Sequence, residues 1–216
     1  MKMMKRLFVV ALLFITVSGY AQPFIEEIQA FRHEDSVHAP EKKVNLFVGS
    51  SSLRMWTDIN SYFPKHKIIN RGFGGSALPD VIRYADDIIF KYKPKQILIY
   101  CGENDLAASD TVSAETVVQR FKTLFGMIRS HWKKMPVVFI SIKPSPSRAN
   151  LMPKIEAANQ MIRDFLATQK KTKYVDVYSL MLVNGQPRPD IFREDNLHMN
   201  AKGYEIWKKA IKPVLK

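Results

Sequence analysis

Five short apolar, β-branched runs, each followed by a loop and an amphipathic stretch, constrain this chain more than any other feature. The runs are VNLFVG (44–49), KIINRG (67–72), QILIYCG (96–102), PVVFISI (136–142) and YVDVYS (174–179). Apolar residues run on rather than alternate with polar ones, which is the pattern of strands covered on both faces. Between the runs, Val81, Tyr84, Ala85 and Ile88 recur at helical spacing, with Pro79 suited to a first turn. Val117, Phe121, Leu124 and Ile128 follow a cap at Ser113, and Ile155, Ala158, Ile162 and Phe165 form a third stripe. Tyr204, Trp207 and Ile211 form a last one after Asn200, and residues 24–38 are a candidate helix before the first strand. Strand–helix alternation of this kind predicts a five-stranded parallel sheet. Right-handed crossovers then make it a three-layer α/β/α sandwich.

The first residues stand apart from that pattern. Lys2, Lys5 and Arg6 precede an apolar run from Leu7 to Val17 and the small-residue stretch Ser18-Gly19-Tyr20-Ala21. This is the layout of a secretory signal over 1–21 with cleavage after Ala21, and an uncleaved anchor is the alternative. The run is short for a membrane span, which needs about 20 residues. Export to the periplasm or the medium is the expectation, with residues 22–216 forming a single domain. Export permits disulfides, but Cys101 is the one cysteine, so it is read as a buried, inert thiol.

Ligands of an open parallel sheet bind at the carboxyl ends of its strands. The first predicted strand ends in Gly49-Ser50-Ser51-Ser52, and the second in Arg71-Gly72-Phe73-Gly74-Gly75-Ser76. Gly102-Glu103-Asn104-Asp105 follows the third and Lys143-Pro144-Ser145 the fourth. Beyond the fifth comes Glu194-Asp195-Asn196-Leu197-His198. These parts suit acyl transfer. A serine at a strand-to-helix turn is a candidate nucleophile, favoured by the helix dipole. Glycine-rich turns expose backbone N–H groups, and an asparagine amide adds a donor to an oxyanion hole. A histidine three residues after an aspartate can be oriented by it while presenting its other nitrogen to serine. Each element alone has an ordinary role as a cap or a turn; their order after successive strands carries the reading.

Taken in order, the four blocks GSSS, INRGFGGS, GENDL and DNLH resemble those of the SGNH family of GDSL-type esterases and lipases, across nearly all of residues 44–212. The resemblance implies a flavodoxin-like sheet and a serine hydrolase that needs no metal or other cofactor. Carried over by position, it implies Ser51 as nucleophile, His198 as base and Asp195 as the orienting acid. Ser51, Gly75 and Asn104 would form the oxyanion hole. Ser50 stands where the family usually has aspartate, and Ser52 leaves the register open. Gly74 is an alternative to Gly75 for the same reason. In this reading Ser50 and Ser52 shape or cap the turn.

The chain carries 33 Lys and Arg against 20 Asp and Glu, a formal charge of +13. Lysines gather just before the predicted strands, which places them on the amino edge, opposite the candidate site. They complement helix C-termini there, or offer peripheral contact with an anionic envelope surface. A nucleic-acid partner is not expected of an exported chain without a binding motif. Arg54, Arg71, Lys143 and Arg148 flank the carboxyl edge, with Trp56 and Phe73 as candidate pocket walls; surface solvation and core packing are their alternative roles. The expected activity is hydrolysis of carboxylic esters, short acyl esters of carbohydrates foremost. A lysophospholipase or thioesterase and a non-catalytic glycan-binding module are the alternatives. Oligomeric state has no signal in the sequence.

Overall fold

The computed structural model describes residues 23–216. The predicted signal segment, 1–21, lies outside the described residues. Strands β1 (Asn45–Gly49), β2 (Ile68–Gly72), β3 (Gln96–Tyr100), β4 (Val137–Ile140) and β5 (Thr172–Val175) form one parallel sheet in the order β2-β1-β3-β4-β5. This is the flavodoxin-like order, whose reversal point lies between β1 and β3. The register runs from Asn45 opposite Ile68 and Gln96 to Gly49 opposite Gly72 and Tyr100. Three strands thus end level with one another at the reversal point.

Successive side chains of a strand face opposite layers, so neighbouring residues in β1 enter separate cores. Leu46 and Val48 pack with Ile97, Ile99, Val137 and Phe139 beneath α4 (Leu78–Arg83), α6 (Ala114–His131) and α7 (Met152–Ala167). The long α1 (Ile25–Val37) joins this layer through the buried Ile28. Phe47 packs instead with Leu98, Tyr100, Val138 and Ile140 under α2 (Ser51–Arg54), α3 (Ile59–Tyr62) and α8 (Ala201–Ile211). Trp56 is the centre of this second core, stacked on Tyr204 at 4.9 Å and edge-on to Trp207 at 6.1 Å. Each such pair contributes about 1 kcal/mol beyond the area it buries.

The predicted caps form. Ser113 Oγ accepts from the Thr116 N–H to open α6, and Asn200 Oδ1 accepts from the N–H groups of Lys202 and Gly203 to open α8. Two elements differ from expectation. The helix predicted through Ile88 divides into α4 and a π-helical turn, Asp86–Phe90, and the widened turn buries both Ile88 and Ile89. The fifth strand ends at Val175 rather than continuing to residue 179. Its pairing with β4 stops because Ser141 Oγ accepts from the N–H groups of Val177 and Tyr178 and turns the chain aside. Cys101 is buried, and burial pushes its thiol up. Arg71 is also buried: its guanidinium meets Asp35 at 2.7 Å and lies near the Tyr92 hydroxyl, clamping α1 to β2.

Lys42, Lys43, Lys93, Lys133, Lys134, Lys171 and Lys173 are exposed around the amino ends of the strands. The opposite edge is built on close backbone approach. Gly49 has φ 144, and a Cβ there would stand 1.8 Å from the carbonyl oxygen of Tyr100 in the adjacent strand. Gly75 also has positive φ, 73, but a Cβ there would meet only the Phe24 ring at 3.8 Å. Gly49→Ala is therefore expected to cost upward of about 4 kcal/mol or prevent folding. Gly75→Ala should cost about 1–2 kcal/mol, the strain of its backbone alone. Urea unfolding of the two variants checks the contrast.

Candidate active site

The end of β1 and the start of α2 decide which hydroxyl is presented. Ser50 N–H donates to the Tyr100 carbonyl at 3.1 Å, and both Ser50 and Ser52 are buried. Ser50 occupies the cap position of α2, but its side chain makes no cap bond, so of the two roles expected for it, shaping or capping the turn, it does not fill the second. The Ser52 carbonyl accepts from the Tyr204 hydroxyl, which ties the turn to α8. Ser51 is the one of the three whose hydroxyl meets an imidazole: its Oγ lies 2.9 Å from His198 Nε2. Because α2 has four residues, its dipole is slight, and stabilisation of charge here falls to individual donors rather than to the helix.

The Asp195–His198 loop is folded around its carboxylate. Asp195 Oδ1 accepts from the N–H groups of Leu197 and His198, each at 2.9 Å, and Oδ2 lies 2.6 Å from His198 Nδ1. Asn196 supplies the left-handed turn this requires, with φ 54. Burial pushes the Asp195 carboxyl up, but the His198 ring and the two N–H groups outweigh it and hold it down at about 2. A carboxylate only accepts, so Nδ1 carries the proton and Nε2 is left to accept from Ser51. The loop is anchored by Arg193 N–H on the His198 carbonyl and Ser147 N–H on the Asn196 carbonyl.

Ser51, Gly74, Gly75, Asn104, Arg148 and His198 share one open cleft of about 570 Å³, whose apolar wall includes Phe24, Ile25, Met55 and Leu197. Gly74 and Gly75 differ in what their N–H groups do. Glu27 of α1 reaches over the turn, accepts from Gly74 N–H at 3.1 Å and pairs with Arg54 at 2.7 Å. Among the described residues no acceptor meets the N–H of Gly75 or of Ser51. The structure therefore brings together Ser51, His198, Asp195, Gly75 and Asn104, and it engages Gly74 elsewhere. A second cleft of about 460 Å³ lies between α1 and β2 and is lined by Arg54, Trp56 and Arg71, but holds none of the predicted triad or oxyanion-hole residues. Among the described residues no group of three or more His, Cys, Asp or Glu side chains could hold a metal ion.

Behind Asn104 lies a charged cluster that sequence reasoning did not assemble. The Glu103 carboxylate, in α5 (Glu103–Ala107), is buried; Lys143 Nζ lies 2.9 Å from it, with the Tyr100 hydroxyl at 2.8 Å and Ser145 Oγ at 3.1 Å. Burial pushes the Glu103 carboxyl up, but the Lys143 and Arg148 charges and these hydrogen bonds leave it below its ordinary value. Lys143, expected near substrate or solvent, is buried among these groups, and Trp56 and Phe73 are buried in the two cores. Arg54 and Arg148 do line the cleft. The available signal was the placement of Glu103 and Lys143 directly after apolar strands, where an unpaired charge would be costly.

The comparisons with known proteins agree with this architecture. Residues 47–206 match the model of the GDSL-like lipase/acylhydrolase family. A GDSL-like lipase from Bacteroides thetaiotaomicron is 22% identical, with TM-score 0.73 over 87% of this chain and 96% of that one. A carbohydrate esterase family 3 protein from Talaromyces cellulolyticus is 18% identical, with TM-score 0.61 over 81% and 96%. A mutant of an acetyl-xylooligosaccharide esterase from Geobacillus Stearmophilus is 13% identical, with TM-score 0.61 over 80% and 94%. At these identities the likeness is one of fold. Among curated proteins none matches the chain.

The buried pair makes a stability prediction. Lys143→Met should cost about 3–5 kcal/mol in urea unfolding, because it leaves the Glu103 carboxylate short of its nearest cation. The fold lowers the proton affinity of Glu103. Its stabilising effect is complete above the ordinary glutamate range and fades as pH falls through the depressed value. The deficit of Glu103→Gln against wild type should accordingly narrow in acid.

Proposed function

The chain belongs to the GDSL-like lipase/acylhydrolase family, and from that premise we propose that it is an exported serine esterase that removes short acyl groups from carbohydrates. The observation that carries the chemistry is the continuous hydrogen-bonded line from Asp195 through His198 to the Ser51 hydroxyl, at 2.6 and 2.9 Å. Ser51 Oγ attacks the ester carbonyl while His198 Nε2 takes its proton. Asp195 holds the ring and steadies the imidazolium. The N–H groups of Ser51 and Gly75 and the Asn104 amide receive the tetrahedral oxyanion. Collapse of that intermediate expels the alcohol, which takes the proton from His198. Water then attacks the acyl-Ser51 ester by the same route, releasing the acid and restoring the hydroxyl. No step calls for a metal.

Short acyl groups on sugars are favoured by an open cleft of mixed lining, with Arg54, Arg148, Glu26 and Glu27 beside a small apolar wall. Fold neighbours named as carbohydrate and acetyl-xylooligosaccharide esterases agree with that choice, while the Bacteroides neighbour is named a lipase. Acyl length is therefore the discriminating measurement. Export follows from the signal-like residues 1–21, and the basic amino edge would then be free to rest on an anionic envelope surface.

Ser51→Ala should abolish hydrolysis of p-nitrophenyl acetate and acetylated xylan, and labelling by a fluorophosphonate, without changing the unfolding midpoint. Asp195→Asn should lower kcat by about 10³–10⁴ through loss of the correct tautomer. A kcat/KM that rises steadily from acetyl to decanoyl esters would move the substrate class to lipids. Hydrolysis that persists in Ser51→Ala would refute the mechanism.

A further inference from the structure

We propose that Arg148 is a positioning residue that holds the Asn104 side-chain amide in its oxyanion-binding orientation; the inference rests on the esterase reading above. An asparagine amide is useful in an oxyanion hole only if its N–H faces the reacting carbonyl, and rotation by 180° would present a repelling oxygen. In this protein both ends of the amide are claimed by groups of opposite kind. Asn104 Oδ1 accepts from Arg148 Nη1 at 3.0 Å, and Nδ2 donates to the Ser76 carbonyl at 3.0 Å. A guanidinium only donates and a carbonyl only accepts, so the flipped amide would lose both bonds and set like against like. The second hydrogen on Nδ2 is left for the cleft that Asn104 shares with Ser51 and Gly75.

Arg148 is itself held. Its Nη1 lies 3.4 Å from Glu103 Oε1, and its N–H donates to the Ser145 carbonyl. Glu103 in turn is anchored by Lys143, Ser145 and Tyr100, all buried. The line Glu103–Arg148–Asn104 therefore carries the rigidity of the strand ends to one amide. The guanidinium on Oδ1 also draws charge from the amide and strengthens its remaining N–H as a donor. Arg148 is one-fifth exposed where it borders the cleft. A direct hold on substrate is the competing role, and it has a different kinetic signature.

The experiment measures kcat and KM for acetyl ester hydrolysis in wild type, Arg148→Ala, Arg148→Lys, Asn104→Ala and the double Ala variant. Loss of one oxyanion donor costs about 10²–10³ in kcat, which is the expectation for Asn104→Ala. Arg148→Ala should lower kcat by about tenfold to hundredfold with KM within about threefold, and Arg148→Lys should recover part of the loss, since an ammonium can still donate to Oδ1. The double variant should match Asn104→Ala within about threefold, because residues acting as one unit are not additive. Multiplicative losses in the double variant, or a raised KM with kcat intact in Arg148→Ala, would overturn the inference in favour of independent or substrate-binding roles. A second readout does not need turnover. The side-chain amide signals of Asn104, assigned by their absence in Asn104→Ala, should shift and exchange faster with solvent in Arg148→Ala. Unchanged signals overturn the positioning role even for a protein that hydrolyses no ester offered, and activity that survives Ser51→Ala separately overturns the esterase reading.

Discussion

A carboxylate cut off from water must be surrounded by donors or give up its charge, and Glu103 meets that demand at the ends of the central strands. Tyr100 approaches from β3, Lys143 and Ser145 come from the segment after β4, and Arg148 from the turn beyond it. Together these donors pin three stretches of chain to one point. Asn104 follows directly in sequence and hydrogen-bonds to Arg148, so the geometry of the candidate oxyanion hole is inherited from this cluster. Loops at strand ends are ordinarily the mobile part of an α/β domain. Here the segments after β3 and β4 are tied together by buried charge.

The second constraint is backbone proximity. Gly49 lies against the Tyr100 carbonyl, and at Gly72 a Cβ would meet the Leu53 Cβ at 2.5 Å. A side chain at Gly49 would force β1 and β3 apart, and one at Gly72 would push α2 away from the sheet and carry Ser51 with it. On the far side, α1 reaches the glycine turn through Glu27, and Phe24, just before the helix, packs its ring edge-on against Phe73 at 5.3 Å. The helix is fastened by Arg32 to Asp87 and by Asp35 to Arg71 and Lys91. It contributes one wall of the cleft, and it takes up the Gly74 N–H while leaving that of Gly75 unclaimed.

Much of this was legible from local pattern. Continuous apolar runs marked the five strands because burial on both faces leaves no polar alternation. Ser113 and Asn200 marked helix starts because an unpaired N–H needs a nearby side-chain oxygen. The errors fell where a distant contact overrode local preference. The fifth strand stopped early because Ser141, 34 positions before Val175, captures the next N–H groups. The helix after Pro79 broke because packing demanded that two adjacent isoleucines be buried together.

The chain's local order therefore determined the α/β class, the parallel sheet and the set of loops from which a site could be built, since periodicity and turn chemistry act over a few residues. It left open which of three serines meets an imidazole, and which of two glycines keeps its N–H unclaimed. Those choices were made by groups remote in sequence: His198 reaching Ser51 across 147 positions, and Glu27 taking the Gly74 N–H across 47. The buried partnership of Glu103, Lys143 and Arg148 belongs to the same category. A hydrogen bond acts over about 3 Å in space and is indifferent to separation along the chain, so only the folded arrangement could decide it.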